Sequence, residues 1–286
     1  MTPGRASVEV LRSRLRDLGP VVVAYSGGAD SAFLAVVAHQ ALRDRALAVT
    51  AVSPSLAAAE RADAAAFAAE RGFRHLEVET DELERAAYRA NDADRCYWCK
   101  DALLDALAPV AAAEGGAAIL LGVNVDDLGD HRPGQRAAAE RDAVFPLVDA
   151  GFTKADVRAA SRRLGLRTWD KPAAPCLASR VPYGTEVSVD LLGRVERAEA
   201  GLRALGFPEL RVRHHASVAN GQRCDTARIE VPVDDLARLV EQRAAVVDAV
   251  RCAGYTRVTL DLEGLRRGNL NEDLDLGRSP PSRSGR

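Results

Sequence analysis

The chain has 286 residues, 47% of them hydrophobic and 28% charged, enough for about two domains at roughly 150 residues each and for a core that needs no disulfide or metal staple. That balance excludes a disordered chain, and a formal net charge of -2 excludes a broad basic surface for nucleic acid. Three lysines, Lys100, Lys154 and Lys171, stand beside thirty-six arginines, a bias that reads as compositional background. The opening MTPGRASVEV lacks the apolar stretch of a signal peptide, and no apolar run approaches the ~18 residues that span a bilayer. A cytoplasmic location with no membrane partner is expected.

The predicted elements alternate along the chain. An opening helix puts Val8, Leu11, Leu15 and Leu18 on one face, and VVVAYS at 21–26 reads as a buried strand ended by a glycine pair. A helix follows over about 30–43. The apolar ALAVTAVS at 46–53, a helical Ala-rich stretch at 57–71, the alternating HLEVET at 75–80, a helix at 100–114 and AAILLG at 117–122 continue the pattern. Strands alternating with helices predict an α/β fold built on a doubly wound parallel sheet. Such sheets bind ligands beyond the carboxyl ends of their strands, which directs attention to the loops after Ser26, Ser53 and Gly122. This first domain is expected over 1–166. A Pro-rich connector at 167–184 follows, and long irregular connections are often functional. A smaller C-terminal α+β domain over 185–276 is predicted from a helix at 186–204, strands near 209–215 and 227–231, a helix at 234–253 and a strand at 257–263. The Ser/Pro/Arg/Gly-rich end, 277–286, reads as a disordered tail.

Ser26-Gly27-Gly28-Ala29-Asp30-Ser31 joins the first buried strand to the helix after it. Two glycines let the backbone approach an anion, two serines offer hydroxyls, and the helix start supplies unpaired N–H groups at a positive dipole end. S-G-G-x-D-S directly after VVVAY resembles the PP-loop of the ATP pyrophosphatase superfamily, and the absence of G-x-x-x-x-G-K-[ST] disfavours a Walker loop. The resemblance implies cleavage of ATP between its α- and β-phosphates, adenylation of a substrate oxygen, and pyrophosphate held by Ser26, Gly27, Gly28, Asp30 and Ser31. Pyrophosphate release calls for a cation, and Mg2+ takes carboxylates together with phosphate oxygens. Asp30 is one candidate ligand. Asp126 and Asp127 in GVNVDD are another, although an acidic turn there reads equally well as a helix cap.

Five cysteines, Cys96, Cys99, Cys176, Cys224 and Cys252, make an odd set that fits no secreted disulfide framework and points to intracellular metal or redox chemistry. Cys96 and Cys99 form a C-x-x-C, and Cys176 lies 77 residues later in the connector. A structural zinc site takes four protein ligands, so it would need a histidine such as His131, His214 or His215 besides the three thiols. Three thiolates can instead hold three irons of a [4Fe–4S] cluster, leaving one iron open to sulfide or substrate.

SGGADS, RCYWCK, GVNVDDLGDHRPG, TWDKPAAPCLASRVPYGTEV, RVRHH, ARIEVP and VTLDLEG together resemble the LarE family, ATP-dependent sulfur transferases that build the nickel-pincer nucleotide cofactor of lactate racemase. The resemblance runs over nearly the whole chain, from about residue 20 to 271. It implies adenylation of a carboxylate of pyridinium-3,5-biscarboxylic acid mononucleotide with ATP and Mg2+, then attack by a sulfur carried at Cys176 to give a thiocarboxylate. In one version Cys176 surrenders its own sulfur and becomes dehydroalanine. In the other, Cys96, Cys99 and Cys176 bind a [4Fe–4S] cluster whose open iron carries a replaceable sulfide, and the presence of all three cysteines favours this version. A small-molecule nucleotide is therefore the expected partner, without nucleic acid, and the resemblance suggests a homo-oligomer.

Arg211 and Arg213 alternate on one face of LRVRHH, as a bidentate clamp for a phosphate or carboxylate requires; in so Arg-rich a chain they also read as an ordinary exposed face. Ser179 and Arg180, close behind Cys176, are further substrate-binding candidates, and Glu230 in ARIEV is placed to orient Arg211 or Arg213. Cys224, in a polar stretch that reads as an insertion in a turn, and Cys252, on a helix, receive no role. The rival readings are a PP-loop tRNA thiolase, which the charge balance opposes, an ammonia-dependent adenylating ligase, which leaves the cysteines idle, and a zinc-binding interaction module.

Overall fold

A computed structural model describes residues 6–129, 133–219 and 222–266; His131 and the 277–286 tail lie outside them. In chain order the elements are α1 (Val8–Leu18), β1 (Val21–Ala24), α2 (Ala29–Leu42), β2 (Ala46–Val52), α3 (Ala58–Arg71), β3 (Arg74–Glu79), α4 (Ala86–Arg89), α5 (Arg95–Ala113) and β4 (Ala118–Leu121). Then come α6 (Pro133–Glu140), α7 (Pro146–Asp149), α8 (Lys154–Arg163), α9 (Val189–Ala204), β5 (Arg211–Ala219), β6 (Gln222–Glu230), α10 (Leu236–Glu241), α11 (Arg243–Cys252) and β7 (Arg257–Leu260). The chain divides into two compact units: one runs to Tyr88 and resumes over Ala93–Pro175, the other comprises Arg89–Asp92 and the chain from Cys176 onward.

The first unit is built on a parallel sheet in the order β3-β2-β1-β4. Val21, Val22 and Val23 are all buried because both faces of the sheet are covered, so the strand reads as a continuous apolar run. Val21, Val23, Ala46 and Ala48 pack with Phe33 of α2 and Phe67 of α3, whereas Val22, Leu47 and Val49 pack with Leu107 and Ala111 of α5. The α/β, doubly wound class follows directly from that alternation. β2 and β3 lie to one side of β1 and β4 to the other, so the winding reverses between β1 and β4, the place at which sheets of this kind bind ligands. The chain is tight there: a Cβ on Gly122, just past β4, would stand 2.9 Å from the Ser31 amide nitrogen.

The second unit has a three-stranded sheet in the order β5-β6-β7, with β5 and β6 antiparallel and β6 and β7 parallel. Ala198 and Leu202 of α9 share its core with Val246 and Val250 of α11. Three features differ from the sequence expectation. α5 begins at Arg95, so both cysteines of the C-x-x-C are helical although Cys, Tyr and Trp are indifferent helix formers. Packing overrides propensity here: Tyr97 donates to Glu140 of α6 at 2.6 Å, and the Arg136 guanidinium lies 4.7 Å from the Tyr97 ring centroid. The hairpin strands are longer than expected, and Cys224 is on β6 opposite Ser217 rather than in an inserted turn. The helix expected at 234–253 is broken at Gln242 between α10 and α11. Among the described residues no helix is long and apolar enough to cross a membrane.

Candidate functional site

The loop after β1 is held open by its own polar groups. Gly28 is the N-cap of α2 and offers no side chain to the helix start, so the first N–H groups remain available to a ligand. Ser31 Oγ accepts from the Ser26 amide at 3.2 Å and donates to the Gly28 carbonyl at 3.2 Å, and the two serine hydroxyls stand 3.1 Å apart. Gly27 has φ +72°, and a Cβ there would stand 2.8 Å from Cβ of Ala64 on α3, so only glycine satisfies both the left-handed backbone and the close approach. Beneath the loop, Thr50 Oγ1 donates to the Tyr25 carbonyl at 2.8 Å, and the Tyr25 hydroxyl donates to the Ala64 carbonyl at 3.0 Å.

Asp30 projects from the first turn of α2 with Oδ1 buried and, among the described residues, without a hydrogen-bond partner. Burial raises its pKa; the Asp127 charge adds to the rise, while Lys154, Asn124 and Arg158 oppose it. An orphaned carboxylate oxygen beside a phosphate-type loop fits a hard cation such as Mg2+. Asp126 and Asp127 divide the remaining work. Asp126 Oδ2 accepts the Lys154 amide at the start of α8 at 2.8 Å and so caps that helix, as a carboxylate at a helix N-terminus does. Asp127 Oδ2 accepts the Asn124 amide at 3.1 Å, and of the two aspartates it is the one whose charge raises the pKa of Asp30.

Cys96 and Cys99 lie three residues apart in the first turns of α5, which puts their side chains on neighbouring positions of one face. No disulfide joins any of the five cysteines; Cys96 and Cys176 are exposed and Cys99 partly so. α6 packs directly on this turn, since a Cβ on Gly134 would stand 3.1 Å from the Cys96 carbonyl. Burial lowers the pKa of adjacent Lys100, against which charge on Cys99 and Cys96 holds it up. Three thiolates are the right donor chemistry for an iron–sulfur cluster. Among the described residues, no three His, Cys, Asp or Glu side chains are gathered as a metal site. His214 is fully buried in the second unit, its ring 5.8 Å from that of Tyr255.

In the second unit, Cys176 caps a short 3-10 turn over Leu177–Arg180. Its carbonyl accepts from the Ser179 amide at 3.0 Å, the Ser179 hydroxyl at 2.7 Å and Arg180 Nη1 at 3.3 Å, so the backbone is fixed while the thiol stays exposed. Arg180 is buried and donates to both carboxylate oxygens of Glu199, at 2.8 and 3.2 Å. Arg213 is likewise buried; it donates to Glu230 Oε1 at 3.0 Å and to the Ser179 carbonyl at 2.6 Å. Arg211 differs. It is half-buried and, among the described residues, reaches only the Arg266 carbonyl, at 3.0 Å. Its pKa is lowered by burial and by the Arg213 and Arg180 charges, with Glu230 and Glu199 opposing. Two arginines are thus neutralised by buried glutamates, and the third carries a charge without a described carboxylate of its own.

A family model for NAD synthase matches residues 5–101, the part holding the β1 loop. Over the full length the chain is 44% identical across 271 residues to an uncharacterized protein of Synechocystis sp., covering 94% of this chain and 98% of the relative. It is 37% identical across 265 residues to the pyridinium-3,5-bisthiocarboxylic acid mononucleotide synthase of Lactiplantibacillus plantarum, covering 92% and 93%. The chain belongs to the LarE family. The likeness extends at 25% identity over 243 residues to an uncharacterized protein of Methanocaldococcus jannaschii, covering 85% and 89%. LarE membership and the NAD synthase match together account for the PP-loop architecture of the first unit.

Sequence reasoning missed two residues at these sites. Glu199, the partner of Arg180, sits on the apolar stripe Leu192, Val195, Ala198 and Leu202 of α9, where an acidic residue at core spacing signals a buried pair. Lys171 donates to the Gly27 carbonyl of the loop at 3.2 Å and lies in the Pro-rich connector, outside the loop motif.

Proposed function

We propose that this LarE-family chain is an ATP-dependent sulfur transferase that adenylates a carboxylate of pyridinium-3,5-biscarboxylic acid mononucleotide and converts it to a thiocarboxylate. The observation that carries the reading is the β1 loop, an anion cradle with an orphaned Asp30 oxygen beside it, in a chain alike over 92% of its length to a synthase of the bisthiocarboxylic acid mononucleotide. Ser26, Gly27, Gly28, Ser31 and the start of α2 would hold the β- and γ-phosphates, and Asp30 with Asp127 would hold Mg2+, which when bound draws charge from the departing pyrophosphate. Attack of the substrate carboxylate on the α-phosphorus then releases pyrophosphate and leaves an acyl adenylate. Arg211 would bind the substrate phosphate; Glu230 and the Ser179 carbonyl keep its β5 neighbour Arg213 in place, and Arg180 with Ser179 fixes the backbone of Cys176 so that its sulfur is presented.

Cys96, Cys99 and Cys176 would hold a [4Fe–4S] cluster, which when bound supplies an open iron able to carry sulfide. The remaining reading, surrender of the Cys176 sulfur itself, is separated by iron and sulfide analysis after anaerobic purification. Iron with acid-labile sulfide and an unchanged chain mass after turnover is the expected result; an iron-free active chain that loses the mass of hydrogen sulfide is the sacrificial one. The function itself is tested by mass spectrometry of the products after anaerobic incubation with ATP, Mg2+, a sulfide source and the biscarboxylate mononucleotide. A thiocarboxylate with matching pyrophosphate is expected, and pyrophosphate without thiocarboxylate would overturn the assignment.

A further inference from the structure

The three lysines of the chain are Lys100, beside the C-x-x-C, Lys154, at the start of α8, and Lys171. Lys171 reaches the β1 loop itself. Its ammonium donates to the Gly27 carbonyl at 3.2 Å and pairs with Asp63 Oδ2 at 2.7 Å and Glu60 Oε2 at 2.8 Å, both on α3. Its side chain is only 15% exposed. The loop is pressed on the same face of α3 through the Gly27–Ala64 approach. Each of the three donor hydrogens of the ammonium thus has an acceptor.

The Gly27 carbonyl and the Gly28 amide belong to one peptide plane, and none of the described peptide bonds is cis. In a trans peptide the two groups point in opposite directions. A carbonyl turned to Lys171 therefore turns the Gly28 N–H away from it, where it donates to Ser26 Oγ at 3.4 Å, on the side where an anion would be received. A peptide flanked by two glycines can reverse at little steric cost, and in the reversed state the cradle would present an oxygen to the phosphate. Within the loop the long Ser26 contact is the one bond on the N–H side of this peptide, and Lys171 supplies the bond on its carbonyl side from outside the loop. A lysine is suited to that bond, because its compact ammonium fits a narrow site and can give one hydrogen to the carbonyl while the others keep the ion pairs to α3, whereas the wide, planar fork of arginine suits carboxylates and phosphates.

We propose that Lys171 is a positioning residue that holds the Gly27–Gly28 peptide with its N–H directed into the phosphate cradle. The role rests on the reading of the β1 loop as an ATP site and adds to it a determinant lying outside the motif. The full-length chain is titrated with α,β-methylene ATP and, separately, with AMP, in the wild type and in the variants Lys171→Met and Lys171→Arg, with thermal melting as a check on folding. The wild type is expected to prefer the triphosphate analogue over AMP. Both variants are expected to lose affinity for the analogue on the order of tenfold, the scale of one charge-assisted hydrogen bond, with AMP affinity unchanged. Lys171→Arg keeps the charge and the ion pairs to α3, so it carries the test even if Lys171→Met unfolds. Retention of the wild-type preference by Lys171→Arg would overturn the role by showing that charge alone suffices, as would retention by Lys171→Met. A wild type with no preference for the analogue would instead overturn the ATP reading, and the inference with it.

Discussion

The β1 loop and the arginine cluster both gather groups of the kind that attract anions, and they are built in opposite ways. The loop uses main-chain N–H groups, two hydroxyls and one orphaned carboxylate, all from Ser26 to Ser31. The cluster uses guanidiniums from the 3-10 turn and β5, brought into the interior by Glu199 on α9 and Glu230 on β6. Backbone dipoles cost little to bury because helix and strand already satisfy most of them, whereas a buried charge must be paired or it destabilises the fold. The loop can therefore remain open to its ligand; the cluster leaves only Arg211 with charge to offer.

The contrast predicts where substitutions fall. Glu199→Ala strands Arg180 and Arg203, both of which it pairs, and removes the acceptor of the Val212 amide; a loss of about 3–5 kcal/mol is expected, the scale for breaking a buried pair, read as a large drop in the thermal midpoint. Gly27→Ala meets the positive φ and Cβ of Ala64 together, so a loss of roughly 1–3 kcal/mol is expected with ATP affinity falling alongside. Arg211→Gln should leave the midpoint unchanged or higher, because an uncompensated charge is removed, while raising the substrate KM roughly tenfold with one charged contact gone; a lower midpoint with unchanged KM would make Arg211 structural.

The smallest effect concerns acid. Burial favours the neutral form of Asp63, but hydrogen bonds from Lys171 and Arg167 outweigh it and hold the pKa below its ordinary 3.8. A depressed carboxylate contributes stability that is complete above its unfolded value and is lost as pH falls through the folded one. The wild-type midpoint should thus fall below about pH 4 more than that of Asp63→Asn, and parallel curves would remove Asp63 from the account.

The two regions were unequally legible in the sequence. Ser26–Ser31 is contiguous, and its chemistry follows from a strand, two glycines and a helix start in a row, so the loop and the parallel sheet around it could be read directly. Arg180, Glu199, Arg213 and Glu230 are dispersed over about fifty residues in sequence, and no local pattern announces which arginine meets which glutamate. The arginine pair on β5 was visible as an alternation, but not that Arg213 is committed internally while Arg211 is not. Asp126 shows the same ambiguity: an acidic pair after β4 suits a metal or a cap, and only the position of α8 assigns it to the Lys154 amide. Lys171, which lies outside the loop motif, contacts the loop itself.

In the proposed reaction the loop activates the carboxylate with ATP and the sulfur reaches it at Cys176. The most direct test measures pyrophosphate and thiocarboxylate in the same anaerobic reaction of the Cys176→Ala chain with ATP, Mg2+, sulfide and the biscarboxylate mononucleotide. Pyrophosphate released in a single burst with no thiocarboxylate is the expected result. Thiocarboxylate formed at the wild-type rate without Cys176 would contradict the account.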